Sequence, residues 1–112
     1  MVRARRDKVF GTIVVFGLGG IYVEVFKDVN FRSFPLGVSE AERMIEKIKA
    51  YSLLTGIRGQ GKKDIKSIID VILKLGRMVD SIKSISDVEI NPLVVYERDK
   101  GVKALDIRIL LA

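Results

Sequence analysis

Two stretches of helical apolar period stand one after the other in the middle of this sequence, with strand-like segments on both sides. In "DIKSIIDVILKLGRMVDSI", residues 64 to 82, Ile65, Ile68, Ile69, Ile72, Leu75, Met78, Val79 and Ile82 fall on one helical face. In "SEAERMIEKIKAYSLLTG", residues 39 to 56, Met44, Ile45, Ile48, Tyr51 and Leu54 recur at the same spacing. Ser39 reads as the N-cap of that helix, Glu42 completes a capping box, and Gly56 is the natural stop. A helix with one apolar stripe must bury it against another layer. The layer available here is a sheet built from the two ends of the chain.

Before the helices, "VRARR" at residues 2 to 6 and "FGTIVVF" at 10 to 16 read as strands joined by a turn at Asp7 and Lys8. "GLGG" at 17 to 20 interrupts, and "IYVEVFKDVNFRSFPL" resumes strand-like composition, as two strands turning at Asp28 to Asn30. After the helices, "VEINPLVVYERDKGVKALDIRILL" reads as two strands around the turn "RDKG". The expected order is ββββ, α, α, ββ, an α+β fold with a mostly antiparallel sheet covered by two helices. Its 112 residues, 48% hydrophobic, form one domain spanning residues 1 to 112. The first strand begins almost at Met1, which is expected of a piece of something larger.

With no cysteine and no histidine, the chain has no thiolate or imidazole to offer a metal, a proton or a phosphoryl group. Any metal must then be hard and oxygen-bound, such as Mg²⁺ or Ca²⁺. No apolar run is long enough to span a membrane, and "MVRARRDKVFG" does not read as an export signal, so a cytoplasmic protein without membrane contact is expected. One Gln, two Asn and plentiful Lys, Glu and Ile fit a thermophile. The net charge of +6 is concentrated in "RARRDK" at 3 to 8 and "RGQGKKDIK" at 58 to 66. Each basic cluster fits either an anion site or a solvated surface.

Three segments carry candidate chemistry. In the closing hairpin, a two-residue loop at Arg98 and Asp99 sets Asn91 directly opposite Asp106, and a four-residue "RDKG" loop makes them diagonal neighbours. Both put them on one face with Glu89, close enough for oxygens to share a small cation; an odd loop length separates them. A ribbon whose polar face merely meets water fits the same residues. Pro92 removes a ladder donor and belongs at an edge or a bulge. "FGLGG" fits either a nest of amides for an anion or a plain tight turn, and it is not a dinucleotide fingerprint. "GIRGQGKKD" offers Arg58 as a guanidinium fork, with Lys62, Lys63 and Lys66 around it.

Taken together, "FGTIVVFGLGGIYVEVFKDVNFR", "YSLLTGIRG" and "EINPLVVY…ALDIRI" resemble the carboxyl-terminal half of the ATP-grasp domain in the beta subunit of ADP-forming acetyl-CoA and acyl-CoA synthetases, relatives of succinyl-CoA synthetase. The resemblance runs from about Val2 to Ile109. It implies that Asn91 and Asp106 hold the Mg²⁺ bound to ATP or ADP, with Glu89 orienting the site. Gly17, Gly19, Gly20 and Glu24 are implied to wall the cleft, and Arg58 and Gly59 to meet phosphate or a partner subunit. The implied partners are an amino-terminal ATP-grasp half, which carries the adenine linker, phosphate-binding lysines and a phosphate-relaying histidine, and a CoA-binding alpha subunit. A homo-oligomer is a further expectation. The competing function is a small basic non-catalytic module that binds nucleic acid or protein. Nucleic acid is disfavoured, since no aromatic pair sits in an RNP-like motif.

Overall fold

The computed structural model describes residues 1–19, 24–56 and 61–112. Seven strands appear among them: β1 (Val2–Asp7), β2 (Gly11–Gly17), β3 (Val29–Ser33), β4 (Ile85–Ile90), β5 (Leu93–Val95), β6 (Val102–Ala104) and β7 (Ile107–Leu111). Two α-helices, α1 (Val38–Glu46) and α2 (Ile65–Ser81), flank a 3₁₀ turn at Lys49–Leu53. Five strands form one antiparallel sheet in the order β3-β2-β1-β4-β7, and β5 and β6 pair apart from it. The α+β expectation therefore holds. Neither helix is long and apolar enough among the described residues to cross a membrane.

Period-two alternation decides which face each strand buries. Val2 and Ala4 of β1 lie beside Phe16 and Val14 of β2 and beside Ile90 and Val88 of β4. All six are buried and pack under Met44 and Ile45 of α1 and Ile68, Ile72 and Val79 of α2. Among the described residues, neither α1 nor α2 packs on the opposite face. It is apolar toward β3, where Ile13, Val15, Val29, Phe31 and Phe10 line a cleft of about 420 Å³ with Arg5, Asp7 and Ser33. Toward β7 it becomes charged.

The first basic cluster is structural. Arg3 Nε donates to Asp87 Oδ1 at 3.0 Å across β1 and β4, and the Asp87 carboxylate holds the guanidinium pKa above its ordinary value. Arg6 donates to the carbonyls of Val79, Ile82, Lys83 and Ile85. It thereby occupies acceptors that the end of α2 leaves without intrahelical partners.

Several local expectations are overturned by long-range contacts. Asp28 does not open a turn between two strands: β3 runs through the expected turn, and Glu24 is helical rather than extended. The strand position beside β2 is taken by Val29–Ser33. Asp28 is instead buried and accepts from the amides of Lys49 at 2.6 Å and Ala50 at 2.8 Å. That distant cap starts the 3₁₀ turn and explains why α1 ends at Glu46 and does not continue to Gly56. Ser39 and Glu42 form no capping box, because Gly37 is the N-cap and its carbonyl accepts from Ala41 N at 3.1 Å.

Helix α2 is capped by Asp64, whose carboxylate accepts from Ser67 N at 3.1 Å and from Gly101 N at 2.8 Å. These backbone bonds hold the Asp64 pKa below its ordinary value. A carboxylate with a lowered folded pKa contributes stability that is complete above its unfolded pKa, about 3.9, and is lost as pH falls through the folded value. Asp64→Asn keeps an acceptor and removes the charge. It is therefore expected to lower the thermal midpoint at pH 7 and to flatten its decline below about pH 4, measured by circular dichroism across pH.

Candidate functional site

The segment after α2 forms two strand pairs. Strands β4 and β7 lie in the main sheet, and at Asn91 and Pro92 the chain leaves it to form β5 and β6. The expected single hairpin of two strands is thus four short strands, broken where Pro92 has no N–H to donate. Glu89 pairs with Arg108 and Ile90 with Ile107 in one ladder, and Leu93 pairs with Ala104 in the other. Asn91 N donates to Asp106 O at 3.0 Å, so Asn91 and Asp106 stand directly opposite. This is the register of the two-residue loop: Lys100 N donates to Glu97 O at 2.9 Å, and Asp99 has φ +67.

Glu89, Asn91, Asp106 and Arg108 line a small cleft of about 50 Å³. Asn91 Nδ2 donates to Glu89 Oε1 at 3.3 Å. The other amide atom, Oδ1, faces Gly19, where an added Cβ would lie 3.1 Å away. Any side chain at position 19 would therefore press on the Asn91 oxygen, and the "FGLGG" segment touches the site through this glycine. Gly17 has a different place. It lies at the end of β2, its N–H donates to Met1 O at 3.1 Å, and its carbonyl accepts from the Met1 amine at 2.6 Å. Both of its backbone polar groups are thus bonded. Burial lowers that amine to about 6, against the attraction of Glu89.

Glu24 is exposed. Gly20, Arg58 and Gly59 lie outside the described residues. Two functional candidates were missed. In the ladder register Glu89 is flanked by Arg3 on β1 and Arg108 on β7, a row of alternating charge across the open face. Arg108 was findable, since it lies two residues beyond Asp106 on an alternating strand. Arg3 was not, because its nearness depends on β1 pairing with β4 from the other end of the chain.

The donor set tests which metal fits. Two carboxylates and an amide oxygen beside a guanidinium are hard ligands for an ion that takes oxygen at about 2.1 Å and keeps several waters, which describes Mg²⁺. Among the described residues no group of three or more acidic, His or Cys side chains converges to hold an ion by itself. The residues present thus suit an ion that completes its shell with ligands from elsewhere, such as phosphate oxygens.

The chain is thus an antiparallel sheet backed by two helices, with oxygen donors and arginines toward the β4–β7 side of the other face. A family model for the ATP-grasp domain matches residues 1–111, and the chain belongs to that family. It is 42% identical to the beta subunit of ADP-forming acetate–CoA ligase II from Pyrococcus furiosus, over 99% of this chain and 48% of that subunit. It is 39% identical to the ADP-forming acetate–CoA ligase of Methanocaldococcus jannaschii, over 98% of this chain and 16% of that enzyme. It superposes with TM-score 0.92 and 43% identity on acetyl-coenzyme A synthetase 1 of Ca. Korarchaeum cryptofilum, solved with coenzyme A and Mg-AMPPCP, over 99% of this chain and 51% of that one. The chain spans about half the length of the beta subunits it matches.

Proposed function

We propose that this chain forms the magnesium- and phosphate-facing wall of the nucleotide site in an ADP-forming acyl-CoA synthetase, which interconverts acyl-CoA, ADP and phosphate with free acid, CoA and ATP. The observation that carries this reading is the direct opposition of Asn91 and Asp106 beside Gly19. Asp106 and Asn91 would hold Mg²⁺, and Glu89 turns the Asn91 amide so that its oxygen stays available. The bound ion neutralises charge on the phosphate oxygens during transfer. Arg108 adds fixed positive charge on the same face and orients an anionic ligand against the sheet, while Arg3 is held by the Asp87 carboxylate. A phosphate-relaying histidine has to come from elsewhere, because this chain contains none.

Residues 1 to 112 would then be one half of an ATP-grasp fold in a larger assembly, facing an amino-terminal half and a CoA-binding subunit in the cytoplasm. The uncovered edge at β7 supports this: Ile107, Ile109 and Leu111 are 53%, 49% and 75% exposed. A row of exposed apolar side chains along an edge strand calls for a cover. The purified chain alone is expected to give no acyl-CoA-dependent ATP formation, and addition of the amino-terminal half with the alpha subunit is expected to restore it. Turnover by the chain alone would overturn the reading.

A further inference from the structure

The second basic cluster is not absorbed by the nucleotide site. Residues 62–64 are stitched to the β5–β6 hairpin by one isolated antiparallel bridge. Lys63 bridges Glu97, Arg98 N donates to Lys62 O at 2.7 Å, and Asp64 N donates to Tyr96 O at 2.9 Å. Lys62 therefore stands directly across from Arg98. Like charges opposed on adjacent strands destabilise the pair, and here the backbone holds them in that position. Both side chains, together with Lys63 and Lys66, line a cleft of about 270 Å³ between the 3₁₀ turn, the start of α2 and the hairpin tip.

None of the four cations forms an ion pair among the described residues. Glu97, opposite Lys63, is turned against Gly61, where an added Cβ would lie 3.3 Å from its Cδ. Of the two acidic residues lining the cleft, Asp64 and Asp99, the first is already engaged by Ser67 N and Gly101 N. The cleft thus holds a surplus of positive charge on a preorganised frame, and the first turn of α2 adds its dipole in the same sense.

We infer that this cleft binds the phosphate group of a small ligand, separately from Asn91 and Asp106. Lys62 and Arg98 approach from opposed segments and Lys66 from the helix. That arrangement suits a dianion with several acceptor oxygens better than a carboxylate with two. The hairpin tip lies about 20 Å from Asn91, at about 3.3 Å per strand residue, so one phosphate cannot serve both places. The free anion and the phosphate end of ADP or coenzyme A share this chemistry.

The test is titration of the ¹⁵N-labelled chain with inorganic pyrophosphate, ADP and coenzyme A in EDTA, which removes metal-dependent binding. The expected result is salt-sensitive shifts of the Lys62, Lys63, Lys66 and Arg98 amides. The ligand that binds those amides most tightly identifies the source of the phosphate. Lys62→Gln with Arg98→Gln is expected to weaken binding at least tenfold and to raise the thermal midpoint of the free protein, since the opposed charges are gone. Each single variant repeats the test with one charge kept. Lys103→Gln, an exposed lysine on β6, is expected to bind as the parent does. Equal affinity in the double variant, shifts centred on Glu89, Asn91, Asp106 and Arg108, or no binding at low salt would overturn the inference.

Discussion

Asp106→Asn is expected to lower metal–nucleotide affinity in the assembled synthetase by about 100-fold or more, because groups that only support a metal ligand are already worth 10–100-fold. The substitution removes one of the two carboxylates of the cleft and keeps the shape of the side chain. The Asp106 side chain is exposed and its backbone carbonyl, not its carboxylate, bonds Asn91, so the fold should be unaffected. Asn91→Ala is expected to act in the same direction more mildly, since a neutral oxygen is lost. The measurement is turnover of the reconstituted assembly against Mg²⁺ concentration: the half-saturating Mg²⁺ should rise steeply in the first variant and less in the second. A solvated ribbon without a ligand predicts unchanged metal dependence in both and stability shifts under about 0.5 kcal/mol. That outcome would leave the family assignment standing and remove these residues from the site.

Ile72→Ala is expected to destabilise the chain by about 4 kcal/mol, within the 2–5 kcal/mol typical of truncating a buried aliphatic side chain. Ile72 is fully buried at the middle of α2, against strands that pack from both sides of β1. Against a total stability on the order of 5–15 kcal/mol, that loss removes from about a quarter to most of the margin. Ile109→Ala makes the instructive contrast. Ile109 pairs with the buried Val88 but lies on the edge strand, where it is half exposed. Its truncation is expected to cost under about 1 kcal/mol in the isolated chain and to weaken association with the rest of the assembly. Urea unfolding of the chain and sedimentation of the mixture separate the two effects. A large loss of stability from Ile109→Ala would mean that the edge is already covered within this chain.

What the sequence determined by itself was whatever depends on short-range periodicity. The helical face of Ile68, Ile72, Leu75 and Val79, the inward alternation of Val14 and Phe16, and the placement of Asn91 and Asp106 on one ribbon follow from spacings of 3.6 and 2 along a continuous segment. Composition added the exclusion of soft metal ligands. Only the tertiary structure decided the features built from distant residues. Asp28 caps a turn some twenty residues later, Arg6 caps a helix from the first strand, and Arg3 joins Glu89 because β1 lies beside β4. Each is a contact with large sequence separation, which no local pattern records. The hairpin stood between these cases. Sequence offered two even registers, and the choice of the direct one came from the turn at Arg98 and Asp99 and the bond from Arg98 N to Lys62 O, which ties the tip to the segment before α2. That same bond sets two cations face to face, and the physical reason is that a backbone ladder fixes its neighbours whatever charges they carry.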